Sequence, residues 1–156
     1  MGAIAAYKIV EGERLPMVVR GPITRVQIAR YAGATGDFNR IHIDEPFAIS
    51  SGRPSVWAHG MMGMAFLGHV LREWVPAEYV RYFKCRFMDV VYPGETLYCS
   101  GNVVNIDEGA DFLSVGVELW AARGSESGPH THSGVARVEL PLDLSGDSPV
   151  RNRSEL

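Results

Sequence analysis

The sequence predicts an α+β domain in which a long antiparallel sheet follows a group of helices. Two helical patterns, one amphipathic and one apolar, occupy the first half between Thr24 and Trp74. After Pro76 a period of two takes over and recurs in three or four runs as far as Leu140. A single weak strand signal precedes both. Helices followed by strands, without regular alternation, mark α+β rather than α/β organisation.

The weak strand signal covers residues 7–20 and is interrupted by Gly12 and Pro16. Thr24 is placed to cap a helix, since its hydroxyl can accept from an otherwise orphaned amide. Val26, Ile28, Ala29 and Tyr31 carry that helix to about Ala34. Gly36 then ends it and opens a polar loop. Asp44 caps a second short piece, residues 45–51, with Pro46 in the first turn where a missing N–H is tolerated.

From Gly60 to Trp74 the chain is apolar nearly all round, which predicts a helix buried on most sides. Gly60, Gly63 and Gly68 each weaken such a helix by about 1 kcal/mol. Close approach of another backbone explains their presence, so a sheet wrapped tightly around this helix is expected. Phe83, Cys85 and Phe87 then alternate with Tyr82, Lys84 and Arg86. Pro93-Gly94-Glu95 turns the chain into a strand over residues 97–106, and residues 107–110 turn it again. Leu113, Val115, Val117, Leu119 and Ala121 alternate with Ser114, Gly116 and Glu118, the cleanest strand signature present. Residues 123–130 form a Gly/Ser/Pro loop, and the last strand covers 135–140 with Ala136, Val138 and Leu140 on one face. The domain is expected to span residues 1–142, with 143–156 a disordered polar tail. Exposed edge strands of such a sheet favour a dimer.

At 156 residues the chain suits one core, and 46% hydrophobic with 21% charged residues is ordinary globular composition. A net charge of −3 argues against a nucleic-acid-binding surface. Apolar runs fall short of the roughly 18 residues needed to span a bilayer. The N-terminus lacks the basic start of a signal peptide, and Ala6 stands where a myristoylation signal wants Ser or Thr. Cys85 and Cys99 fall in strands and read as buried free thiols of a reducing compartment, which makes a cytoplasmic location the expectation.

The chemistry concentrates in the loop after the first helix. Asp37 and His42 stand five residues apart in Gly36-Asp-Phe-Asn-Arg-Ile-His42. With ordinary pKa values of about 3.9 and 6.5, one is anionic and the other largely neutral at neutral pH. Such a pair can hold a water, remove one proton and return a proton to a nearby carbon. On spacing alone the plainer reading is favoured: a turn-capping carboxylate and a satisfied loop histidine. Asn39 can orient either group or serve the turn. Gly60 opens the apolar helix, where its amide is an orphan donor and the helix dipole favours a developing oxyanion; close packing explains the same glycine. His59 can touch a ligand or cap the helix. His69 reads as a core or interface residue. The methionine-rich helix face, Met61 and Met64 included, is either core or the flexible lining of an acyl tunnel. His130-x-His132 has no Cys or carboxylate beside it, so a metal site is not expected. There is no nucleophile elbow, P-loop or dinucleotide fingerprint.

Tyr31-x3-Thr35-Gly-Asp-x-Asn39-x-Ile41-His42-x5-Ala48 resembles the hydratase signature of the MaoC-like hotdog family. Ala58-His-Gly-Met61 resembles that family's second stretch, and the strand pattern extends the likeness over roughly residues 10–140. The resemblance implies a single hotdog fold, a curled antiparallel sheet wrapped around a central apolar helix. It implies (R)-specific hydration of trans-2-enoyl thioesters, or dehydration of (3R)-hydroxyacyl thioesters, carried by CoA or an acyl carrier protein. Asp37 and His42 match the catalytic pair, Gly60 the amide that polarises the thioester carbonyl, and Asn39 the supporting asparagine. Arg40, His59, Met61 and Met64 are the implied substrate contacts. No metal or redox cofactor is implied, and the expected partner is a second hotdog chain, identical or different. Arg40 departs from the family's usual proline; it either pairs with Asp44 or meets an anionic substrate group. Two further readings stand beside catalysis by this chain: a non-catalytic or partner-dependent acyl-binding subunit, and a hotdog thioesterase. The thioesterase is disfavoured because the apolar helix carries no acidic residue before Glu73.

Overall fold

The computed structural model describes residues 9–142. In chain order these form β1 (Val18–Arg20), α1 (Arg25–Thr35), α2 (Arg40–Ile43), α3 (Glu45–Ser50) and α4 (Gly60–Trp74), then a 3₁₀ turn (Ala77–Tyr79). The remaining strands are β2 (Val80–Phe87), β3 (Leu97–Glu108), β4 (Phe112–Arg123) and β5 (His130–Pro141). All five strands pair antiparallel in the order β1-β3-β4-β5-β2.

Alternation puts Leu113, Val115, Val117, Leu119 and Ala121 of β4 on the inner face, each buried. Across the ladder Leu113 faces Leu140, Val115 faces Val138 and Val117 faces Ala136, so two strands present one apolar surface. Leu67, Val70, Leu71 and Trp74 of α4 join that core, and α4 touches every strand of the sheet. The sheet curls around a central helix, as the apolar pattern predicts.

Several details differ from expectation. The first strand is only three residues long, because Gly12 adopts a left-handed turn conformation (φ +82°) and Pro16 lacks an amide donor. The segment still follows β3, with Gly12 N–H donating to the Val103 carbonyl at 2.9 Å and Leu15 N–H to that of Gly101 at 2.9 Å. β5 starts at His130 rather than Val135, since Ser133, His132 and His130 already pair with β4. The glycines of α4 admit side-chain rings rather than sheet backbone. A Cβ on Gly60 would lie 2.4 Å from the Phe87 ring, and one on Gly63 would lie 2.2 Å from the His132 ring. At Gly68 the nearest atom, Phe83 Cε1, is 3.7 Å away, so nothing there requires glycine.

One flank of α4 stays uncovered within the chain: Met61 is 54% exposed, beside an edge strand β2 that exposes Tyr82 and Phe87. Both cysteines are free; burial pushes the Cys99 thiol pKa up to about 12, whereas Cys85 is only half-buried. Among the described residues no helix is long and apolar enough to cross a membrane. The polar tail expected from Asp143 lies outside the described residues.

Candidate active site

Helix α1 delivers the chain to the site. Thr24 and Gln27 form a reciprocal capping box at its start, and Gly36 closes it in the left-handed conformation (φ 74°) that glycine adopts without strain. The loop that follows is held locally: Asn39 N–H donates to Asp37 Oδ1 at 3.3 Å, and the Asn39 side chain caps α2 by accepting from Ile41 N–H at 3.2 Å. Sequence reasoning took this segment as loop. A one-turn helix is too short to show a period, and its cap resembles a turn residue. Asp44 next caps α3 by accepting from Phe47 N–H at 3.1 Å.

His42 lies on α2 and is buried. Its Nδ1 is 2.7 Å from the Trp57 carbonyl. A carbonyl only accepts, so Nδ1 carries the proton and Nε2 presents its lone pair. Burial lowers the His42 pKa, partly opposed by the Trp57 hydrogen bond, and keeps the ring neutral. His59 stacks on it with ring centroids 3.7 Å apart and planes at 28°. His59 Nε2 donates to the Asp37 main-chain carbonyl at 2.9 Å, while its buried Nδ1 has no partner. A carboxylate oxygen of Asp37 and one ring nitrogen each of His42 and His59 fall within 4.8 Å of one another. The Asp37 side chain is 54% exposed, so its carboxylate faces solvent.

The structure therefore brings a carboxylate oxygen of Asp37 and a ring nitrogen of His42 close together. The same trio, with His59, has the composition of a metal-ligand set, with His59 Nε2 already given to the Asp37 carbonyl. His59, 3% exposed, stands behind the Asp37 loop, with one nitrogen on the Asp37 carbonyl and its ring against His42.

α4 begins at Gly60, and its N-cap residue His59 makes no side-chain capping bond, which leaves the first amides without a side-chain acceptor. A cleft of about 200 Å³ opens beside it, lined by Trp57, Ala58, Gly60, Phe87, Met88 and His132 among others. Asp37 and His42 are not on its wall; His42 connects to it through Trp57, whose carbonyl holds the ring. Met61 is exposed and Met64 half-buried, so only Met62 of this turn belongs to the core. Arg40 is engaged twice by Asp44, at 2.9 and 2.7 Å, with its guanidinium 4.3 Å above the Phe47 ring. That is the intrachain pairing rather than a group held open for an anion.

Two groups beside the site were missed from sequence. The Trp57 carbonyl is a backbone group, for which no side-chain signal exists. His132 was visible: it shares the alternation of Gly134, Ala136, Val138 and Leu140, which places it on the inner face.

Comparison with known proteins supplies the family. Residues 9–121 match the model of the MaoC-like domain. The fatty acid synthase subunit beta of Saccharomyces cerevisiae is 28% identical over 144 residues, covering 90% of this chain and 7% of that protein. The chain spans between 5% and 12% of the length of three curated relatives it matches. Among solved structures, the (R)-hydratase from A. caviae involved in PHA biosynthesis superposes with a TM-score of 0.70 at 19% identity, over 85% of this chain and 98% of that one. One chain of the ChsH1-ChsH2 complex from Mycobacterium tuberculosis gives a TM-score of 0.72 at 18% identity, over 84% of this chain and 98% of that one. These likenesses show the hotdog fold, and the family match over most of the described residues shows that this chain belongs to the MaoC-like dehydratase family.

Proposed function

We propose that the chain adds water to trans-2-enoyl thioesters with (R) stereochemistry, and dehydrates (3R)-hydroxyacyl thioesters in reverse. The observation that carries this reading is the Asp37 carboxylate and a His42 ring nitrogen within 4.8 Å, with His42 Nδ1–H pinned to the Trp57 carbonyl. Neutral His42 Nε2 and anionic Asp37 accept hydrogen bonds from the same water. As its oxygen bonds to C3, one proton passes to this pair and a proton is delivered to C2. The C2–C3 double bond becomes single, and the thioester oxygen carries enolate-like charge at the midpoint. The Gly60 amide, at the positive end of α4, is the donor for that oxygen. Water addition is redox-neutral, and the thioester is carried by CoA or a phosphopantetheine.

The uncovered flank of α4 and edge strand β2 support a second hotdog chain as partner. If the partner differs from this chain, Asp37 and His42 make this one the active member. The non-catalytic and thioesterase readings are weaker: the first leaves the pair without a task, and the second finds no carboxylate on α4 before Glu73.

The purified chain is assayed for hydration of crotonyl-CoA and longer enoyl-CoA esters. Turnover that falls by about 10²–10⁴ in both Asp37→Asn and His42→Ala supports the proposal. Turnover only after adding another hotdog chain assigns a heterodimer. Release of free thiol with no hydration overturns it in favour of hydrolysis.

A further inference from the structure

A third buried histidine, His132 of β5, stands at the tip of α4 and takes no part in the water-activating pair. It is 2% exposed. Its Nε2 lies 3.1 Å from the Gly60 carbonyl and its Nδ1 2.9 Å from Thr131 Oγ1. Since a carbonyl only accepts, Nε2 carries the ring proton. Nδ1 of the neutral ring then accepts from the Thr131 hydroxyl, whose other neighbour, the Ala121 carbonyl, is farther off at 3.2 Å. Burial lowers the basicity of His132 and keeps this neutral form. Both nitrogens are thus committed, which rules the ring out as a proton carrier in this arrangement.

The sequence makes room for the ring. Gly63 has no Cβ, and one placed there would lie 2.2 Å from His132 Cε1 and Nε2. Phe87 packs edge-on against the other side with centroids 5.5 Å apart. The start of α4 has no side-chain cap of its own, so the tie from β5 is a side-chain bond that adds to its backbone ones, such as Ala58 N–H to the Val91 carbonyl.

We propose that His132 is a positioning residue: by holding the Gly60 carbonyl, it fixes the first turn of α4 so that the Gly60 amide stays directed at the thioester oxygen. This rests on the hydration reading above. The tie itself, however, is a structural statement that can be tested without turnover. Thr131 sets the tautomer, His132 transmits the position, and Gly60 makes the contact.

The test compares wild type with His132→Leu, His132→Gln and Thr131→Val by amide hydrogen exchange and by steady-state hydration of an enoyl-CoA. In His132→Leu, exchange at Met64, whose helical amide shares the Gly60 carbonyl, is expected to quicken about tenfold, the equivalent of one lost hydrogen bond, with Leu67 unchanged. The kcat is expected to fall by a similar factor of about ten while KM stays within about twofold. His132→Gln, whose side-chain amide can donate to the same carbonyl, restores both. Thr131→Val shifts both in the same direction by less, and serves if His132→Leu does not fold. Unchanged exchange at Met64 in His132→Leu and Thr131→Val, a loss confined to KM, or no rescue by glutamine overturns the proposal. A wild-type chain without turnover but with this exchange pattern sinks the hydration reading and leaves the tie standing.

Discussion

Replacing Asn39 separates a capping residue from one that touches reactants. Its side-chain oxygen accepts from Ile41 N–H at 3.2 Å and starts α2, the single turn that carries His42. That turn is otherwise held by few bonds, among them Asp44 N–H to the Arg40 carbonyl at 2.8 Å. An N-cap of this kind is worth about 1 kcal/mol, within a range of about 0.5–2. Asn39→Ala therefore shifts the balance between formed and frayed α2 by about fivefold, and kcat falls by no more than about that factor. If the chain unfolds as one unit, Tm drops by about 2–4 °C. Asn39→Ser supplies a hydroxyl acceptor of similar capping strength and should keep Tm and rate near wild type. Thermal unfolding and enoyl-CoA hydration, measured on the three proteins side by side, decide the matter. If the serine variant were as slow as the alanine variant with Tm unmoved, the amide of Asn39 would be acting on the reactants and the capping account would be wrong.

Other outcomes follow from the same geometry. Because burial lowers the His42 pKa, the acid limb of kcat/KM should fall below the ordinary histidine value of about 6.5; a limb centred above that value in the free enzyme refutes the assignment. His42 and His132 are both depressed in the folded chain, so the unfolded chain takes up protons first. Stability is full above about pH 6.5 and is lost as pH falls from there through the folded values, which denaturant titrations at several pH values will show. Gly68→Ala, with 3.7 Å to its nearest neighbour, should stabilise α4 by about 0.5–1 kcal/mol, whereas Gly63→Ala drives its Cβ into His132 and should cost both stability and kcat. Arg40 occupies the first position of α2, where proline fits; Arg40→Pro should therefore fold, lose the exposed tie to Asp44 and the contact over the Phe47 ring, and leave chain-length preference unchanged.

What could be read ahead of the coordinates was what repeats. Alternation along Leu113–Ala121 needs only side-chain polarity to show, and the apolar run from Gly60 to Trp74 has both length and clear ends. Asp44 and Thr24 could be recognised as caps because capping is a local bond with a local residue preference. The rest depended on groups without a sequence signature. Helix α2 has four residues, fewer than any period requires. The start of β5 is hidden because His130, Thr131 and Ser133 are polar where a strand is expected to alternate. For His59, polarity at a helix start suggested ligand contact. Its hydrogen-bonding nitrogen is instead turned to the Asp37 carbonyl, a partner set by tertiary packing. The expectation for Gly60 and Gly63 had the right consequence and the wrong neighbour, since sheet backbone and aromatic rings both demand an absent Cβ.

Three buried histidines converge here, and their different partners divide the labour between them. Each gives one nitrogen to a main-chain carbonyl: His42 to Trp57, His59 to Asp37 and His132 to Gly60. Those bonds set the tautomers, so what distinguishes the rings is the second nitrogen. That of His132 is taken by Thr131, and that of His59 is sealed without a partner. His42 Nε2 has neither fate: it is not among the buried unpartnered atoms, which is why the proposed reaction assigns it the role of base beside the Asp37 carboxylate. A base must be basic, unbonded and reachable at once, and on the proposed mechanism His42 is the ring given that task. The carbonyls that hold the rings belong to Asp37 itself, to Trp57 on the cleft wall and to Gly60 at the helix tip. Orienting the histidines and orienting the loop, the wall and the proposed oxyanion donor are therefore one and the same set of hydrogen bonds. Loosening any of the three should displace a reacting group as well as a ring, which is why losses in kcat without losses in fold are the signature to seek.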